Sequence, residues 1–231
     1  RSDTSYHAKG KQKLKAGGMF YTAQSGIWQT VWMEYVPEVY ITELEAIPDI
    51  DRNVVRICVH ASEPEQKCRI TVHQAEIYPE PMKCAEDVSS LFGIPETVIT
   101  ELEGNTGAWI EISVSDARLW TCEEPYLYYY KVTTCEDQVI SYFAMRKFSL
   151  EPDAETEGFP RICLNGKEQF QNGVLDQGYW PEGLYTLPCD EAFIFDITEM
   201  KKTGFNMVRK HIKIEPQRWY YHCDRLGIVV W

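Results

Sequence analysis

The sequence lacks the features that mark membrane and nucleic-acid proteins. No run approaches the ~18 apolar residues of a membrane helix, and the N-terminus has no apolar signal core. Positive charge is scarce. The 23 Lys and Arg stand against 35 Asp and Glu, a net charge of −12, so nucleic acid and anionic membranes are repelled. The cluster Lys11, Lys13, Lys15 is short and reads as a solvated face. There is no C-x-x-C, no His pair at finger spacing and no H-E-x-x-H, so no metal site is expected, zinc included. A Gly-rich phosphate loop, a G-x-S-x-G elbow and a Cys–His nucleophile pattern are also missing, and nothing in the chain asks for a cofactor. No Asn-x-Ser/Thr sequon occurs. Of the eight cysteines, Cys58, Cys68 and Cys223 sit at apolar positions of strand or helix patterns, where a free thiol behaves as a small hydrophobe. Free cysteines in a reducing, cytoplasmic setting are the expectation.

What is present suffices for a core: 44% hydrophobic residues, 25% charged and 13% aromatic across 231 residues. Up to about residue 150 the apolar residues alternate with period two. Val55, Ile57 and Val59 oppose Arg56 and His60; Cys68, Ile70 and Val72 oppose Arg69, Thr71 and His73; Ile110, Ile112 and Val114 oppose Trp109, Glu111 and Ser113. Further strands are predicted over 97–103, 127–134 and 138–150. Strands at this spacing without intervening helices predict an immunoglobulin-like antiparallel β-sandwich over 38–150. Gly26–Val36 is predicted as another strand, so that 1–37 reads as a remnant of a preceding β-domain or an edge addition.

Beyond 150 the period changes. Asn165-Gly166 predicts a hairpin, and Phe170–Leu175 a strand. A helix is expected from Pro188, with acidic Asp190 and Glu191 in its first turn, Phe193, Ile197 and Met200 on one face, and Gly204 beyond its end. Phe205–Val208 follows as a strand. Pro216 opens a second helix that buries Trp219, Cys223 and Leu226 and stops at Gly227, and Ile228–Trp231 forms a doubly buried strand. Strand–helix–strand–helix–strand makes a parallel sheet. Its last strand is left uncovered, which predicts a fragment of a longer polypeptide, cut at both ends.

In parallel α/β layers the chemistry sits on loops after the strands. Here these loops carry Asp176, Gln177, Tyr179 and Trp180, then Arg209, Lys210, His211 and Lys213. A carboxylate and an amide beside aromatic rings suit sugar recognition. Arg209 and His211, two apart, point one way and suit an ionised acid. The bland alternatives are that Trp180-Pro181 anchors a loop and Arg209 pairs with a structural acid. His7, His60, His73 and His222 read as surface residues. No local pattern fixes two carboxylates at glycosidase spacing: Asp176 and Glu182 share a loop, and Glu215 reads as a helix-start residue.

The segments Leu164-Asn-Gly-Lys, Asn172-Gly-Val-Leu-Asp-Gln-Gly-Tyr-Trp-Pro, Lys202-Thr-Gly-Phe-Asn-Met-Val-Arg-Lys-His and Asp224-Arg-Leu-Gly-Ile-Val-Val-Trp resemble the start of the catalytic barrel of family 2 glycoside hydrolases. Ser25-Gly-Ile-Trp-Gln-Thr-Val-Trp is similar to the end of that family's jelly-roll domain, and Leu119-Trp-Thr-Cys-Glu-Glu-Pro-Tyr-Leu-Tyr to its immunoglobulin-like domain. The resemblance implies a retaining β-glycosidase acting on a carbohydrate substrate, with 151–231 the first strand–helix units of a (β/α)₈ TIM barrel. It implies that Asp176, Gln177, Trp180, Arg209 and His211 bind substrate. The family's acid/base glutamate follows an Asn, and no Asn-Glu pair exists here. Neither reactive glutamate is therefore expected in this chain, which should be inactive alone. The rival expectation is a non-catalytic carbohydrate-binding or domain-bridging module. Beyond the carbohydrate, a homo-oligomer is the one macromolecular partner left open.

Overall fold

Alternation with one buried face dictates sheets that must be covered on that face. In the computed structural model, which describes Tyr6 and residues 10–74, 97–152 and 158–231, this is how the first large unit is built. The elements are β1 (Gln12–Lys13), β2 (Tyr21–Thr22), β3 (Ile41–Asp49), β4 (Val54–Ala61), β5 (Lys67–Gln74), β6 (Val98–Asn105), β7 (Trp109–Ser113) and β8 (Tyr128–Thr133). They continue as β9 (Gln138–Phe143), β10 (Phe148–Pro152), β11 (Pro160–Leu164), β12 (Lys167–Glu168), β13 (Gly173–Asp176), α1 (Asp190–Lys202), β14 (Met207–Lys210), α2 (Gln217–Leu226) and β15 (Val229–Val230). The described chain forms two units, one from 34 to 170 and one that joins the segment up to 33 with 171–231.

In the first unit, antiparallel sheets β3-β4-β7 and β6-β5-β8-β9 enclose a single core. Val55, Ile57, Val59 and Ile112 from one sheet meet Cys68, Ile70, Val72, Tyr130 and Val132 from the other. The strands predicted at 53–61, 67–74 and 108–114 are all present, with the expected faces inward. The run 138–150 is two strands, not one. Met145 leaves the ladder and is buried, and the chain resumes as β10 paired to β11 in a third sheet. Asn165 pins this corner: its side chain accepts from the Lys147 N–H (2.9 Å) and donates to the Trp120 carbonyl (2.9 Å). Asn165 (φ 54°) and Gly166 (φ 75°) both adopt the left-handed conformation that the β11–β12 hairpin turn requires.

The second unit is a parallel sheet, β13-β14-β15, with Val174, Val208 and Val230 in line across it. These valines face the helices, where Phe193 and Ile197 of α1 and Trp219 and Cys223 of α2 complete the core. Both helices fall where their sequence punctuation places them, and Gly227 (φ 79°) closes α2 with its N–H on the Cys223 carbonyl.

Gly26–Val36 is not a strand. Ile27, Val31, Trp32 and Met33 are exposed, because among the described residues no neighbouring strand offers a ladder and apolar alternation alone cannot supply one. Side chains hold this stretch and the residues before it. Tyr185 N–H donates to the Gln24 amide oxygen (2.8 Å), Thr186 hydroxyl to the Trp28 carbonyl (2.8 Å), and the Gln29 amide to the Ile214 carbonyl (3.2 Å). His73 and His222, expected on the surface, are buried. No disulfide joins the described cysteines. No helix among the described residues is long and apolar enough to cross a membrane.

His222 explains how α1 and α2 are tied. Arg225 Nε donates to His222 Nδ1 (2.9 Å), so that nitrogen carries no proton, and Nε2–H is left to donate to Asp190 (3.1 Å). Arg218 Nε adds a second donor to the same carboxylate (3.1 Å). Burial alone would raise the Asp190 pKa, but the hydrogen bonds from His222 and Arg218 outweigh it and carry it below the usual carboxylate value. A carboxyl depressed in the folded state stabilises the fold above its unfolded pKa, and that contribution is lost as pH falls through the folded one. Asp190→Asn should therefore flatten the decline of urea midpoint between pH 5 and pH 2. An unchanged decline would show that the carboxylate is not held this way.

Candidate functional site

The parallel register sets the site. Asp176 ends β13 and Lys210 ends β14, directly paired and on the same face as Val174 and Val208. Two residues past the apolar core, this position leaves the shelter of the helices but not that of the loops. Lys210 Nζ bonds the Asp176 carboxylate and Glu215 Oε1 (2.9 Å). Lys213 Nζ bonds Glu215 Oε1 (3.0 Å) and the Gly178 carbonyl (2.6 Å). Asp176 Oδ1 accepts from Gly178 N–H (2.7 Å). The side chains of Lys210, Lys213 and Glu215 are 3%, 0% and 1% exposed, and that of Asp176 is 20%. Two cations and two anions thus close on each other with little water. Gly178 is required here: its φ is +62°, and a Cβ would run into Glu215 Oε1 and Lys213 Nζ.

Aromatic rings wall the cluster. Lys213 Nζ lies over Tyr185 (4.7 Å) and Trp28 (5.2 Å), and Lys210 Nζ over Trp219 (4.3 Å), which favours desolvated cations. Tyr21 stacks on Tyr179 at 3.6 Å. Burial nevertheless lowers the Lys213 pKa, reinforced by Lys210 and opposed by Glu215. Beside the cluster is a cavity of about 500 Å³ lined among others by Tyr21, Asp176, Gln177, Tyr179, Asp196 and Glu199. Burial raises the Asp196 pKa, with a further rise from the Asp176 charge. The Gln177 Oε1 and Trp180 Nε1 atoms are buried with no hydrogen-bond partner within the described chain.

The five residues singled out in the sequence divide. Asp176 and Gln177 share the cavity. Trp180 packs edge-on against Phe193 (6.2 Å) and closes its loop by paired backbone bonds to Leu184, so its ring is engaged in the core. Arg209 pairs in register with Leu175 on the opposite face from Asp176 and Lys210, and both are exposed. His211 donates its backbone N–H to the Asp176 carbonyl (2.8 Å). Partial burial, with the charges of Lys11 and Arg209, lowers its pKa. The sequence places Lys210 and Lys213 on the second strand-end loop without assigning them a substrate role, and reads Glu215 as a helix-start residue; the structure brings all three together. Their legible signal is their position at or just after the end of a parallel strand.

The geometry is that of a β-sandwich followed by a parallel α/β layer with a polar cluster at its strand ends. Comparison with known proteins agrees. Residues 39–146 match the family model described as Glycosyl hydrolases family 2. The chain is 26% identical over 211 residues to a β-galactosidase of Lactococcus lactis subsp. lactis (strain IL1403), covering 89% of this chain and 19% of that protein. It is 24% identical to a β-galactosidase of Oenococcus oeni (strain ATCC BAA-331 / PSU-1), over 98% of this chain and 23% of that one. The Faecalibacterium prausnitzii β-glucuronidase superposes with TM-score 0.66 at 19% identity, over 84% of this chain and 28% of the other, which shows the shared fold. The chain therefore spans about a fifth of the length of the curated relatives it matches. Over residues 39–146 the chain is thus similar to family 2 glycoside hydrolases.

Proposed function

We propose that this chain is part of a retaining β-glycosidase that hydrolyses terminal β-linked sugars, in the manner its relatives' names, β-galactosidase and β-glucuronidase, suggest. On this reading 1–37 closes a jelly-roll domain, 38–150 is its immunoglobulin-like domain, and 151–231 begins a (β/α)₈ barrel. The observation that carries it is the exposure at the strand ends on the far face of the parallel sheet, beyond Val229, which is buried on that same face. Leu175 (52% exposed) and Arg209 stand on the side away from the helices, where a closed barrel has its packed interior. In such a barrel the polar groups at strand ends line the sugar pocket. Asp176 and Glu215 are engaged by lysines and on this reading hold the pocket wall. Gln177, with its unpaired buried amide oxygen, presents an acceptor for a sugar hydroxyl. The double displacement itself needs two carboxyls about 5–5.5 Å apart, supplied by later barrel strands.

The test is a panel of nitrophenyl β-glycosides with the longer protein that contains this chain. The proposal expects turnover of one of them, and a fall in kcat/KM of about 100-fold or more for Arg209→Ala. An inactive longer protein that still binds sugar would favour the bridging or carbohydrate-binding module. Unchanged kinetics in the Arg209 variant would remove this residue from the pocket.

A further inference from the structure

The outer face of sheet β3-β4-β7 carries a cluster unrelated to the sugar site. In the β3–β4 pair Glu45 lies opposite Cys58 and Glu43 opposite His60. Directly opposed residues share a face, and Cys58 and His60, two apart on one strand, share it too. This is the face turned away from Val55, Ile57 and Val59. A carboxylate oxygen of Glu45, the Cys58 sulfur and a ring nitrogen of His60 all lie within 4.8 Å of one another. His60 Nε2 is 2.6 Å from Glu45 Oε1. Donors bonded at ~2.0–2.3 Å around a tetrahedral ion sit roughly 3.3–3.8 Å apart, so small rotamer adjustments bring these three to that spacing. The thiol forms a buried floor, while the Glu45 and His60 side chains are 44% and 39% exposed and form a rim open to solvent.

We propose that Glu45, Cys58 and His60 bind one zinc-class divalent cation through a carboxylate oxygen, a thiolate sulfur and an imidazole nitrogen, with solvent in the fourth position. The thiol gives its proton to solvent on binding. A thiolate and an imidazole select a borderline metal over magnesium or calcium, which take oxygen donors. All three ligands stand on paired strands rather than loops, so the metal meets a nearly formed site. The proposal does not depend on the glycosidase reading.

Cobalt(II) is the probe, added to the reduced 231-residue chain. The expected result is a cobalt–thiolate charge-transfer band with d–d bands of tetrahedral intensity, saturating at one equivalent and erased by equimolar Zn²⁺. Cys58→Ala should abolish the charge-transfer band. His60→Gln, at a half-exposed position that the fold tolerates, should keep a band but weaken cobalt binding at least about tenfold. No charge-transfer band at one equivalent, a band that survives Cys58→Ala, or unchanged affinity in His60→Gln would each overturn the site.

Discussion

Glu215→Ala is expected to destabilise the α/β unit by about 3–5 kcal/mol, the range for breaking a buried ion pair from one side. The carboxylate is the shared anion of Lys210 and Lys213. Without it Lys210 keeps Asp176, but Lys213 keeps only the Gly178 carbonyl and the faces of Tyr185 and Trp28. An ammonium with no exposed surface then has no carboxylate in contact, only the more distant Asp176 charge, and burial already disfavours it in the intact protein. The diagnostic comparison is Glu215→Leu combined with Lys213→Met. Removing both charges while filling the volume should recover most of the loss, because the penalty lies in the uncompensated ion rather than in the missing attraction. Urea unfolding of Glu215→Leu, of Lys213→Met and of the double variant gives the cycle. A loss below about 1 kcal/mol for Glu215→Ala would mean that the cluster is solvated and behaves as a surface pair.

Trp219→Ala should have an effect of similar size, about 3–5 kcal/mol, as for other large buried aromatics. The ring is fully buried in the core that joins α1, α2 and the sheet, meets Tyr220 edge-on at 5.0 Å and lies under Lys210 Nζ. Truncation opens a cavity next to a buried cation, so its effect should not add to that of Lys210 variants. Trp32→Ala, at an exposed position, is the control and should fall within about 0.5 kcal/mol of the parent chain. Equal effects of the two tryptophans on the urea midpoint would contradict the assignment of the core.

The elements that could be read from sequence are those whose burial repeats with a local period. Val55, Ile57 and Val59 alternate because one side of β4 is core, and Phe193 and Ile197 recur at four because one stripe of α1 is core. Gly26–Val36 shows why this fails: Ile27, Val31 and Trp32 have a strand's composition, but pairing depends on a neighbour that local sequence does not specify. The site failed for a related reason. In sequence Lys213 is one residue of a strand-end loop and Glu215 a helix-start residue, and only the parallel register that sets Asp176 beside Lys210, with Gly178 folded over them, turns four charges inward. The same register sends Arg209 to the other face, a separation that spacing along one strand cannot reveal. Glu45, Cys58 and His60 likewise have no metal spacing in sequence and meet only through the β3–β4 pairing.

Under the proposed function this chain builds a pocket wall while the reacting carboxyls lie outside it. Incubating the purified 231-residue chain with nitrophenyl β-galactoside and nitrophenyl β-glucuronide tests this, and no nitrophenol above the buffer rate is expected. Release that disappears on substitution of Asp176, Asp196 or Glu199, the carboxyls beside the cavity, would contradict it by placing the chemistry inside these residues.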